Sequence, residues 1–108
     1  MYYTYLLRCT DGSLYTGIAS NLARRMKEHF NKDPKCAKYT RTHPPKELCA
    51  VWESSDRAVA SRLEYRIKQQ SKAKKEILAT GGTLSQIFDD PDFCSQYRPL
   101  AQREFPNE

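Results

Sequence analysis

The segment 13–30, SLYTGIASNLARRMKEHF, places a phenol (Tyr15), a position without a side chain (Gly17), a guanidinium (Arg25) and an imidazole (His29) in one short span. The bare backbone at Gly17 lets another group approach closely, which makes the neighbouring phenol a candidate acid or base. Arg25 and His29 stand at i and i+4, so on a helix one lies above the other, on the flank of a stripe formed by Leu22, Met26 and Phe30. A guanidinium and an imidazole held there could grip a phosphate and handle a proton beside it. The plainer reading is a strand, a turn and an amphipathic surface helix bearing a solvated Arg and a partly packed His.

Glu64 poses the same choice farther along, with Ala60 one turn before it and Lys68 one turn after. A Glu–Lys pair at i, i+4 is a common helix ion pair and adds only tenths of a kcal/mol. A carboxylate on the border of an apolar helix face could instead hold a hard divalent cation, which takes oxygen ligands and keeps several waters. Tyr3 and Tyr5 share one face of a strand, and Tyr15 is expected across from one of them as an aromatic cross-strand pair.

The elements that must position these groups are legible in outline. Residues 2–9, YYTYLLRC, read as a strand, Asp11-Gly12 as a turn, and 13–18 as the second strand of an antiparallel hairpin. Ser20 or Asn21 can cap the first helix, which ends at 31–34. Residues 35–45, KCAKYTRTHPP, read as a basic loop, and 48–52 as a third strand. Ser55 or Asp56 can cap a second helix lined by Val59, Leu63, Ile67 and Gln70; Ser71 can cap a third, stopped by Gly81-Gly82; and 83–88 fits one more short turn of helix. The order β-β-α-β-α-α points to a small α+β domain with a three-stranded antiparallel sheet flanked by helices. Residues 1–88 form the expected domain, and 89–108, acidic and Pro-containing, an expected loosely packed tail.

Charge follows the same division. Residues 1–88 hold 16 Lys and Arg against 8 Asp and Glu, whereas 89–108 hold 2 against 5, so a basic body that attracts polyanions carries an acidic tail. Arg24, Lys35, Lys38, Tyr39 and Arg41 combine cations with an aromatic, which suits phosphate contacts with stacking on an unpaired base. His43, ahead of Pro44-Pro45, reads as structural. Cys9, Cys36, Cys49 and Cys94 lie far apart with no CxxC spacing, which fits neither a zinc site nor a small disulfide framework. With no leader-like opening and no apolar run near the ~20 residues of a membrane span, a cytoplasmic protein is expected.

YTY at 3–5, YTG at 15–17, ARRMKEH in the first helix and a Glu in a later one resemble the GIY-YIG nuclease superfamily. AKYTRTHPPKEL and SRLEYRIKQQSKAKKEIL extend the likeness to its small stand-alone bacterial members, over residues 2 to about 88. The resemblance implies metal-dependent DNA cleavage, with Mg2+ or Mn2+ as cofactor, DNA as partner, and a structure-selective role in repair or recombination. It implies Tyr15 as general base, Tyr5 positioning Tyr15 by a hydrogen bond, Arg25 gripping the scissile phosphate, His29 orienting the water or phosphate, and Glu64 as metal ligand. The chain departs from the pattern at Tyr3 (usually Gly), Thr16 (usually Ile or Val), Ile18 (often Lys) and KKEI (where several members carry Asn). Two other readings stand beside the nuclease: a catalytically weak nucleic-acid-binding module of the same fold, and a small basic domain that docks an acidic protein.

Overall fold

In the computed structural model, which describes residues 1–106, the run YYTYLLRC becomes the inner strand β1 (Tyr2–Cys9). β2 (Leu14–Ala19) and β3 (Pro45–Ser54) pair antiparallel on either side of it. A two-residue fourth strand, β4 (Arg98–Pro99), adds to β3 and gives the order β2-β1-β3-β4. The expected α+β class and antiparallel sheet are found, with one short strand more than the three expected.

Strand alternation splits the core in two. Leu6 and Trp52 point into a cluster with Leu63, Ile67 and Leu78, supplied by α3 (Arg57–Lys68) and α4 (Lys72–Ala79). Tyr5, Leu7 and Val51 point into a second cluster with Leu22 and Met26 of α1 (Leu22–Phe30). β1 is thus buried through both faces, which is why its sequence is an almost unbroken apolar and aromatic run.

The caps form where the sequence places them. Asn21 Oδ1 accepts from the Arg24 N–H at 3.0 Å, Asp56 Oδ1 from the Val59 N–H at 3.0 Å, and Ser71 Oγ from the Lys74 N–H at 3.3 Å. Each satisfies a backbone donor that the first helical turn would otherwise leave open. Leu84–Gln86 form the expected short helical turn, of 3-10 type.

Three expectations are corrected. Within the basic loop, Lys38–Thr42 form a short helix, α2, because the Thr40 and His43 N–H groups bond back to Ala37 and Tyr39 carbonyls. β3 starts at Pro45 rather than near residue 48, since long β1 continues to pair as far as Cys9 opposite Pro45. The segment after residue 88 packs onto the sheet rather than hanging loose: Phe93 of α5 (Pro91–Cys94) and Tyr97 are buried in the first cluster, and Leu100 and Phe105 pack on the second. Tyr97 donates to the Val59 carbonyl at 2.7 Å, and the Arg66 guanidinium lies 4.0 Å from the centre of the Phe93 ring. The acids in this segment have local roles, Asp90 capping α5 and Glu104 pairing with Arg98. Residues 107 and 108, the end of the expected tail, lie outside the described residues.

Removing the Phe93 ring should therefore cost core burial. Phe93→Ala is expected to lower stability by about 3–5 kcal/mol and Tyr97→Phe by about 1 kcal/mol, both read from urea unfolding. A tail attached as loosely as its composition suggests would leave both midpoints unchanged.

Candidate active site

Tyr5 stands opposite Gly17 in the β1–β2 register, and its ring lies across the space that a side chain at 17 would fill. A Cβ at Gly17 would sit 2.5 Å from the Tyr5 hydroxyl oxygen, 2.6 Å from its Cζ and 2.9 Å from Tyr15 Cε2. The glycine is thus required by close approach, with two phenol rings closing over it. Tyr15 is opposite Leu7, not Tyr3 or Tyr5, so the expected direct aromatic pair is a diagonal one, with Tyr5 and Tyr15 centroids 6.3 Å apart.

His29 reaches this pair from the last turn of α1 and is fully buried. Its Nε2 is 2.7 Å from the Tyr5 hydroxyl and its Nδ1 is 2.8 Å from Thr40 Oγ1 of α2. Its ring meets Tyr5 and Tyr15 edgewise, at centroid distances of 5.7 and 5.5 Å. Burial and then the nearby Arg25 charge push the imidazole pKa down to about 4, with Glu28 acting in the opposite direction. The ring is therefore neutral at physiological pH.

The expected roles of the two buried groups change accordingly. With both ring nitrogens engaged, by Tyr5 and by Thr40, His29 has no ring nitrogen left for a water or a phosphate. Tyr5 is itself fully buried, and its hydroxyl bonds to His29 rather than to Tyr15. Burial, then the neighbouring Tyr15, push the Tyr5 phenol well above its ordinary range, Arg25 opposes, and Glu64 adds to the rise. Tyr5 stays protonated, and its hydroxyl lies within electrostatic reach of all three.

Those three are the groups that remain accessible. Tyr15 is half-buried, and its hydroxyl makes no hydrogen bond to another described residue. Arg25 spends one terminal nitrogen on Glu28 Oε1 and the Lys35 carbonyl, both at 2.7 Å, and also faces the Tyr5 hydroxyl. Its second terminal nitrogen and Nε leave a donor edge for an oxyanion. Glu64 makes the expected i, i+4 pair with Lys68 at 3.3 Å and stays about a quarter exposed.

The expected nucleic-acid set is partly dispersed. Arg24 projects outward beside Arg25, while Lys35 and Lys38 are exposed. Arg41 turns back to the Pro34 carbonyl. Tyr39, expected to stack on a base, is stacked on His43 at 4.1 Å and on Tyr15 at 5.7 Å, so it walls the site from within the fold. His43 is structural as expected, bonded to Asp11 at 2.8 Å. Cys9, Cys36, Cys49 and Cys94 are free thiols.

Two residues escaped the sequence reading. Thr40 carries no chemical signal of its own until the fold brings it to His29. Arg57, not singled out in the sequence, lines a cavity of about 240 Å3 with Ile18, Arg24 and Arg25. A larger hollow, about 400 Å3 beside Trp52, Gly82 and Phe105, lies on another part of the surface.

No three His, Cys, Asp or Glu side chains gather into a metal-binding group among the described residues. A lone Glu64 carboxylate near a guanidinium with free donors still fits Mg2+ or Mn2+, because such ions are often held by one or two carboxylates, substrate phosphate and water.

Residues 1–76, which include every one of these site residues, match the family described as the GIY-YIG catalytic domain. The UPF0213 protein DP2720 of Desulfotalea psychrophila is 46% identical over 77 residues, spanning 71% of this chain and 69% of that protein. The UPF0213 protein BH0048 of Halalkalibacterium halodurans is 43% identical over 79 residues, spanning 73% and 82%. The solution NMR structure of the UPF0213 protein BH0048 from Bacillus halodurans, 39% identical, matches 80% of this chain and 92% of that one with a TM-score of 0.48.

Two consequences of this geometry are measurable. Gly17→Ala should destabilise by about 1–3 kcal/mol, and Tyr5→Leu, which removes the ring that clashes, should make the double variant less unstable than the sum of the two. Strict additivity would show that the ring does not close on Gly17. The depressed His29 pKa sets a pH window: the unfolded chain binds that proton first, so its cost is absent above about pH 6.5 and grows as pH falls toward 4, to about 3 kcal/mol. The difference in urea stability between wild type and His29→Gln should show this slope, and a flat difference between pH 7.5 and 4 would contradict it.

Proposed function

The chain belongs to the GIY-YIG family of nuclease-type catalytic domains, and from that premise we propose that it is a metal-dependent endonuclease hydrolysing DNA phosphodiester bonds. The observation that carries the reading is the convergence of Tyr15, Arg25 and Glu64, from three separate elements, on the buried Tyr5–His29 pair. Phosphodiester hydrolysis calls for an activated water, positive charge on the phosphoryl oxygens and help for the departing oxygen. The chain offers a group for each.

Tyr15 is the general base, since its hydroxyl makes no hydrogen bond to another described residue and can meet a water at the mouth of the site. Arg25 offers the phosphate its free donor edge, a planar fork that a lysine ammonium does not reproduce. Glu64 would hold Mg2+ or Mn2+. Such an ion, when bound, supplies charge to the phosphoryl and leaving oxygens. At Ile18, where a Lys is common in the family, the local positive charge comes from Arg24, Arg25 and Arg57 around the same cavity. That charge favours the approach of a polyanion.

Arg24, Lys35 and Lys38 extend the basic surface away from the site and suit backbone phosphates rather than bases. With Tyr39 engaged inside the fold, recognition rests on nucleic-acid shape. Branched or flapped DNA of repair and recombination is the substrate class this favours. A second reading, a domain that binds nucleic acid without cleaving it, draws support from Ile18 and from the Glu28 and Lys35 contacts that already occupy one Arg25 nitrogen.

Cleavage assays with Mg2+ on single strands, duplexes, flaps and junctions separate the two. Glu64→Ala and Arg25→Ala should each lower cleavage by roughly 100-fold or more while circular dichroism stays that of the wild type. Activity that survives both changes would overturn the site. Binding that weakens with salt, but with no cleavage of any substrate, would favour the second reading.

A further inference from the structure

His29 sits between two hydroxyls, and the groups beyond them decide which way its protons run. Thr40 Oγ1 is 3.0 Å from the Ala37 carbonyl as well as 2.8 Å from His29 Nδ1. A carbonyl oxygen only accepts, and a threonine hydroxyl has one proton to give. If that proton goes to Ala37, Thr40 must accept from His29, so Nδ1 carries the hydrogen. Nε2 is then the acceptor for the Tyr5 O–H at 2.7 Å. The far end agrees, because Arg25, which faces the Tyr5 oxygen, is a donor without acceptor capacity.

The opposite tautomer fails at both ends. Thr40 would give its proton to Nδ1 and face the Ala37 oxygen across 3.0 Å with no hydrogen between them. Nε2–H would donate to Tyr5, whose own proton would be turned out of that bond and toward the Arg25 charge. Both hydroxyl residues and the imidazole are fully buried, so water does not relieve either conflict. We propose that Thr40 is a positioning residue, locking His29 as the Nδ1–H tautomer so that the Tyr5 O–H is fixed on Nε2 and its oxygen is left turned toward the Arg25 charge. One directed chain then runs from the Tyr5 O–H through His29 and Thr40 to the Ala37 carbonyl.

The tautomer itself does not rest on the nuclease reading; its effect on rate does, and the test keeps the two apart. Nitrogen-15 NMR of the protein labelled at histidine, without nucleic acid and near pH 7, reads the His29 ring directly. The wild type should show a protonated Nδ1 and an unprotonated Nε2. Thr40→Ser, which keeps the hydroxyl, should retain that pattern, and Thr40→Val should shift the ring toward Nε2–H. A wild-type ring protonated at Nε2, a Thr40→Ser ring that loses the pattern, or a folded Thr40→Val ring that keeps it, would each overturn the proposal. If Thr40→Val does not fold, the wild-type and Thr40→Ser spectra decide.

In the Mg2+ cleavage assay Thr40→Val should lower kcat by about 10–100-fold, the usual weight of a group that orients a functional imidazole, with Thr40→Ser restoring most of it. The expected tautomer with no cleavage of any substrate would sink the nuclease reading and leave the lock standing. Cleavage with the reversed tautomer would do the opposite.

Discussion

A hydrogen bond of 2.7 Å between the Tyr5 hydroxyl and His29 Nε2, with neither group exposed, is the contact on which the site depends. A buried phenol or imidazole without a partner would cost a few kcal/mol, so each makes the other tolerable in the interior. The bond also joins elements distant in sequence: Tyr5 belongs to β1, His29 to α1, and Thr40, on the other side of the ring, to α2. Three segments are thereby held at fixed distances around one neutral imidazole. Gly17 supplies the remaining condition, since a β-carbon there would occupy the place of the Tyr5 ring.

Neutrality at the centre and charge at the rim are parts of one arrangement. Burial and the adjacent Arg25 both disfavour an imidazolium, and burial keeps Tyr5 a phenol rather than a phenolate. No net charge is therefore placed in the interior at this pair. The cations instead collect at the opening, where Arg24, Arg25 and Arg57 share a cavity in which Glu28 is the one acidic lining group among the described residues. Charge at that position needs no Lys at residue 18, because α1 and α3 converge there in space although they are far apart in the chain.

What could be read from the sequence follows from the range of the interactions involved. The hairpin, the three helix caps and the apolar helix stripes are local patterns, and they appear where residues such as Asn21, Asp56 and Ser71 place them. Tyr5, Tyr15, Arg25, His29 and Glu64 were legible as a set through a family resemblance; their division into buried support and accessible groups was not. That division depends on strand register, which sets Tyr5 against Gly17 and Tyr15 against Leu7, and on a partner for His29 that only the packing of α2 reveals. The C-terminal segment was misread for a related reason. Phe93, Tyr97 and Leu100 recur at i, i+4 and i+7, but Pro99 breaks that run and the side chains divide between two clusters, so the surrounding acids and prolines suggest a solvated tail instead.

The same strand register ties the site to the stability of the domain. On β1, Tyr5 and Leu7 face the cluster under α1, and Leu6 between them faces the cluster under α3 and the C-terminal segment. A slip of one residue would exchange the two faces, placing Leu6 where the Tyr5 hydroxyl meets His29 and a phenol amid Trp52, Leu63 and Ile67. Two independent cores therefore select the same register, and each penalises the misalignment that would dismantle the other. Phe93 and Tyr97, though far from His29 in sequence, help to hold Leu6 on its side of the sheet, and so help to fix which side Tyr5 takes. The precision of a 2.7 Å contact is thus borne by apolar packing on the opposite face of the strand that carries it.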